Sequence, residues 1–96
     1  MILGLIVWYV YILECSDKSY YTGYTNNIDE RLKRHNNGRG SPHTAARLPV
    51  RLLWHEIHET KENAVQRENQ IKKWSRAKKQ ALIEGSLKEL KRLSNS

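Results

Sequence analysis

Ninety-six residues carry 17 Lys and Arg against 10 Asp and Glu, a formal charge of +7. A chain this short fits one domain with a thin core of about two layers, and 39% hydrophobic against 28% charged residues excludes a disordered polyelectrolyte. The single cysteine, Cys15, excludes an internal disulfide framework and fits a reducing compartment, while the charge points to a polyanionic partner, nucleic acid before an anionic membrane.

Met1–Leu13 is apolar but has no basic leader or small-residue cleavage site, and it falls short of the roughly 20 residues that span a bilayer. It reads as a buried strand of a cytoplasmic protein, with strand one over Leu5–Glu14. Cys15–Ser19, with Ser16, Asp17 and Lys18, reads as a hairpin turn into strand two, Ser19–Thr25. Alternation puts Tyr9, Tyr11 and Leu13 on one face and Trp8, Val10 and Ile12 on the other, and Gly23 marks a bulge or the close approach of another group. Thr25, Asn26 and Asn27 are N-caps for a helix from Ile28 to Asn37–Gly38, where glycine takes the left-handed position. Asn36–Pro49 is a long loop holding Arg39, His43, Thr44 and Arg47, either functional or a plain solvated connection. Val50–His58 is strand three; His55 and His58 point to opposite faces, and with no Cys-x-x-Cys partner a zinc site is not expected. Thr60 caps a helix reaching about Trp74, Ser75 caps a short one through Glu84, and Gly85–Ser86 breaks the chain before a last helical turn or two in Leu87–Leu93.

Both longer helices carry polar residues on the stripe that should face the core. The i, i+3, i+4, i+7 spacing gives Ile28, Arg31, Leu32 and His35 in the first, and Ala64, Arg67, Glu68 and Ile71 in the second. With the tyrosine-rich strands beside them, this predicts a polar pocket of tyrosine hydroxyls, Arg31, His35 and Glu68 that handles a phosphodiester.

The order of these residues resembles the GIY-YIG nuclease superfamily, and most of all its small stand-alone UPF0213 group. Tyr9-Val10-Tyr11 and Tyr21-Thr22-Gly23 stand where the two name-giving tripeptides lie. The run from Gly23 through Arg31 to His35 is similar to the superfamily's first-helix stretch, and Ala64–Glu68 with Ile71–Trp74 is similar to its glutamate-bearing helix. The resemblance covers about residues 8–83 of a single domain, 1–96, with 86–96 as a helical tail. It implies an α/β (α+β) fold, a three-stranded antiparallel sheet flanked by helices, cutting DNA or RNA with one divalent metal. Carried over, Glu68 is the metal ligand, Tyr11 and Tyr21 the motif tyrosines, Arg31 the helix arginine and His35 the residue one turn on.

The residue chemistry agrees. One carboxylate suits Mg²⁺ or Mn²⁺ that keeps most of its water, and Arg31 offers a bidentate contact to phosphate. Tyr11 is the base or water-positioner, with Tyr21 on the phosphate or on metal-held water, or the two exchanged; His35 receives the proton from Tyr11 or donates to the leaving oxygen. Arg34, Arg39, His43, Arg47, Lys72, Lys73 and Arg76 are candidates for nucleic-acid contact, with a solvated face as the plain alternative. The reading is a metal-dependent endonuclease, DNA ahead of RNA, in repair or recombination. Its rivals are a basic nucleic-acid-binding module with a vestigial pocket and a recruited subunit of a repair complex. No membrane partner is expected, and at this size the chain is expected to bind weakly, form a homodimer or borrow a partner's specificity.

Overall fold

A computed structural model describes residues 6–94, with side chains described for 6–85. Its elements run β1 (Trp8–Glu14), β2 (Tyr20–Thr25), α1 (Ile28–Asn36), α2 (Pro42–Ala45), β3 (Arg51–His58), α3 (Lys61–Lys72) and α4 (Arg76–Ser94). The strands form one antiparallel sheet in the order β2-β1-β3, so the most apolar strand is central and β2 is an edge.

The alternation along β1 sorts the core into two layers. Val10 and Ile12 pack with Trp54, Ala64 and Ile71 beneath α3 and α4. Tyr11 and Leu13 pack with Cys15 and Val50, and with Leu32 of α1, on the opposite face. The free thiol of Cys15 is buried in that second layer.

Strand ends are set by where backbone partners run out. The strand expected from Leu5 begins at Trp8, because its neighbours end at His58 and Thr25; Leu5 lies outside the described residues. Ser19 stays in the turn, where its carbonyl accepts from Cys15 N at 2.9 Å. Val50 stays out of β3 because Asn36 takes both its backbone groups: Val50 N donates to Asn36 Oδ1 at 2.8 Å and Asn36 Nδ2 donates to Val50 O at 3.2 Å.

The caps follow the sequence signals. Asn27 accepts from Glu30 N to open α1, Thr60 accepts from Asn63 N to open α3, and Gly38 follows α1 at φ +77. Two expectations are corrected. The 36–49 connection contains α2, started by Ser41 as N-cap with Pro42 in the first turn. Gly85–Ser86 does not break the chain: α4 runs through it as one 19-residue helix. An interior glycine costs a helix only about 1 kcal/mol against alanine, too little to end it unaided.

Candidate nuclease site

Tyr11 reaches the site because Gly23 lets it. The two residues face each other in the β1–β2 register, and the phenol lies over the glycine where any Cβ would collide with its oxygen. The ring is carried to the outer edge of the sheet, where a cleft of about 420 Å³ follows β2. Residues 21–25 line the cleft along one side. Tyr11, Arg31, Glu68, Lys61 and Lys72 complete most of the wall.

Behind the cleft, Tyr11 Oη meets His35 Nε2 at 3.1 Å, and His35 Nδ1 meets Thr44 Oγ1 at 2.8 Å. His35 is 1% exposed and Tyr11 2%, so each relies on the other for this hydrogen bond. Tyr21 places its ring edge-on to His35, with centroids 5.1 Å apart, and His43 stacks beside Tyr21.

Burial decides both protonation states. It pushes the Tyr11 phenol up to about 12, helped by Tyr21 and less by Glu68, while the Arg31 guanidinium pulls it partly back. His35 is held below the usual histidine value, first by burial and then by the nearby charges of Arg31 and Arg34. Near neutral pH the pair is therefore a phenol beside a neutral imidazole.

Glu68 is the unusual member. It sits on the buried stripe of α3 with Ala64 and Ile71, at 8% exposure, and makes no hydrogen bond or ion pair among the described residues. No Arg31–Glu68 ion pair forms; its neighbour Arg67 is the one that pairs, with Glu56 at 3.0 Å. The side chain is packed against the core while its carboxylate opens onto the cleft, where its oxygens are free to meet a hydrated cation. Thr22, on the same wall, also keeps a buried hydroxyl with no partner. Among the described residues no group of three His, Cys, Asp or Glu converges, so a closed metal cage is absent. This donor set fits a divalent ion that keeps most of its water and leans on one carboxylate.

Of the residues expected from sequence, Tyr11, Tyr21, Arg31, Glu68 and Lys72 line the cleft and His35 stands directly behind Tyr11. Several basic candidates have other contacts. His43 bonds Ser19 Oγ at 3.0 Å, Arg47 binds Asp17 at 2.9 Å and the His43 carbonyl, and Arg76 donates to the Lys18 carbonyl while covering the Tyr20 ring at 4.0 Å. Arg34, Arg39 and Lys73 are exposed and do not line the cleft. Lys61 was missed, and Thr44 was named only as part of the 36–49 loop, without a role. Thr44 was legible through the Ser-Pro start of α2, which places a buried residue three positions after the cap.

The model of the GIY-YIG catalytic domain matches residues 7–81. A UPF0213 protein of Bacillus licheniformis is 51% identical over 84% of both chains, and one of Clostridium perfringens is 51% identical over 84% of this chain and 88% of its own. Among solved structures, a UPF0213 protein of Bacillus halodurans is similar at TM-score 0.54 and 44% identity, covering 82% of this chain and 84% of that one. A protein of E. faecalis is similar at 0.56 and 37%, covering 84% and 88%. With Tyr11 and the Tyr21-Thr22-Gly23 tripeptide, Arg31 and Glu68 lining one cleft and His35 behind it, and with the family match over residues 7–81, the chain belongs to the GIY-YIG family of nuclease domains, alongside the UPF0213 proteins.

Proposed function

We propose that the chain is an endonuclease that hydrolyses phosphodiester bonds of nucleic acid, DNA ahead of RNA, in the Tyr11–Glu68 cleft. The observation that carries this reading is the carboxylate of Glu68, with no protein partner among the described residues, lining the same cleft as a guanidinium and a phenol backed by a neutral imidazole. Glu68 would hold Mg²⁺ or Mn²⁺, which when bound would supply charge neutralisation at the phosphoryl group. Arg31 takes the remaining phosphate oxygens in a bidentate contact. Tyr21 orients the phosphate from the β2 side.

Tyr11 works as a proton shuttle rather than a standing phenolate, since its pKa near 12 leaves it protonated. It gives its O–H proton to His35 Nε2 while taking one from the attacking water, whose oxygen bonds to phosphorus as the ester P–O bond breaks. The leaving oxygen departs with that bond's electron pair and is protonated by water, and His35 then returns its proton through Tyr11 to solvent. Arriving phosphate offsets the charge of Arg31, one of the groups that hold the His35 pKa down, so substrate binding itself makes His35 a better acceptor. The buried thiol of Cys15 fits action in a reducing compartment such as the cytoplasm.

The test is cleavage of branched, nicked and single-stranded DNA and RNA with Mg²⁺, Mn²⁺ or EDTA. Glu68→Ala is expected to abolish cutting while nucleic-acid binding persists. Tyr11→Phe and Arg31→Ala are each expected to slow it by at least ~10²-fold. Binding with no metal-dependent cleavage of any substrate returns the basic binding module instead.

A further inference from the structure

We propose that the α2 turn is part of the proton-handling apparatus: Thr44, anchored on Ser41, is a positioning residue that holds His35 with its proton on Nδ1 and keeps Nε2 bare toward Tyr11. The inference rests on the nuclease reading for its purpose but on hydrogen-bond geometry for its content.

The direction of the chain of bonds follows from its far end. The Ser41 carbonyl can only accept, and Thr44 Oγ1 donates to it at 3.2 Å. Ser41 Oγ accepts from Thr44 N at 3.1 Å and lies 3.0 Å from Thr44 Oγ1, placed to donate its own proton there. With its single proton on a Ser41 oxygen, Thr44 Oγ1 accepts from His35 Nδ1, 2.8 Å away. A neutral imidazole has one proton to place, so Nε2 carries a lone pair and accepts from Tyr11 Oη at 3.1 Å. In the opposite tautomer Thr44 turns its proton to Nδ1 and the Ser41 carbonyl keeps the Ala45 N–H at 2.9 Å, but the Tyr11 hydroxyl loses the acceptor that His35 Nε2 offers it.

The turn also clamps the ring. Gly40 lies so close to His35 that a Cβ there would overlap Nδ1. Ser41 as N-cap and Pro42 in the first turn then fix where Thr44 falls. When His35 takes the Tyr11 proton, its Nδ1–H bond to Thr44 is already made, and the oriented hydroxyl and carbonyl dipoles stabilise the new charge without rearrangement. The proton His35 takes returns through Tyr11 to solvent, and water supplies the proton of the leaving oxygen, so only water and the phosphodiester enter the balance.

Long-range ¹H–¹⁵N correlation of histidine-labelled protein reads the tautomer directly, with no substrate. Wild type is expected to give the Nδ1–H form for His35. Thr44→Val is expected to shift that resonance toward the Nε2–H form, and Thr44→Ser to restore the wild-type pattern. In cleavage, Thr44→Val is expected to lower kcat about 10–100-fold, the usual scale for a residue acting through a ligand or base, with KM little changed and recovery in Thr44→Ser. An Nε2–H tautomer in wild type overturns the proposal even if no variant can be purified, as does an Nδ1–H tautomer that survives Thr44→Val. Wild type that cuts nothing yet shows the expected tautomer and its loss in Thr44→Val upholds the positioning of His35 while removing the nuclease reading.

Discussion

A phenol buried to 2% exposure and an imidazole buried to 1% behave as one unit, and the residues that shape the unit need no polar side chain of their own. Gly23 is the clearest case, because the path of Tyr11 to the cleft passes over its hydrogen. Gly23→Ala must either push the phenol off His35 or bend β2, and overpacking of this kind costs about 1–3 kcal/mol. We expect Gly23→Ala to lower stability by that amount in urea melts and to reduce cleavage as far as Tyr11→Phe does; a variant that cuts normally would show that the phenol can act from elsewhere. His35 gives a second prediction at this scale. It must be neutral to accept a proton, and its folded pKa lies below the ordinary ~6.5. The acid limb of kcat/KM is therefore expected below pH 6.5, and Arg34→Ala, which removes one of the charges holding that pKa down, is expected to move the limb upward. Stability follows the same sign: the unfolded histidine takes its proton near ~6.5 while the folded one resists. The contribution is present above that pH and is lost as pH falls through the folded value.

Much of this architecture was legible because whole elements obey simple periods. The two-residue period of β1 separated Tyr11 from Val10 and Ile12, and the helical period of α3 put Glu68 on the buried stripe between Ala64 and Ile71. The core-facing carboxylate and histidine stood out because nothing in packing asks for them. What stayed hidden depends on contacts between elements. The β1–β3 register shifts between Ile12 and Leu13, a bulge that no local pattern announces. Nor does composition alone say that Arg47, His43 and Arg76 have partners inside the fold, since Asp17, Ser19 and the Lys18 carbonyl meet them only after the chain has closed. Asn36 illustrates the same point: its amide serves both backbone groups of Val50 and so fixes where β3 begins relative to α1. Two hydrogen bonds of ordinary strength predict a loss of about 1–3 kcal/mol for Asn36→Ala in denaturant melts.

Across the whole molecule the net charge of +7 exceeds what internal pairing absorbs. Glu14 is shared by Lys18 and Arg51, Asp17 holds Arg47, and Glu56 holds Arg67 and bonds His58. Several acidic residues are thus occupied within the fold, while exposed Lys61 and Lys72 stand on the cleft wall with Arg31. A polyanion entering the cleft meets these cations first and releases its condensed counterions there. Each phosphate contact contributes about −0.7 to −0.9 to the slope of log K against log salt. Lys61→Ala and Lys72→Ala are each expected to flatten that slope by roughly one contact and to weaken binding at low salt more than at high salt. Lys73→Ala, next to Lys72 but off the cleft, has the same effect on net charge and is expected to leave the slope nearly unchanged. Titrations of a fluorescent oligonucleotide across a salt series, in EDTA so that no cutting intervenes, separate the two cases. Equal flattening by all three substitutions would mean that the charge acts as a diffuse field and that the cleft does not hold the strand.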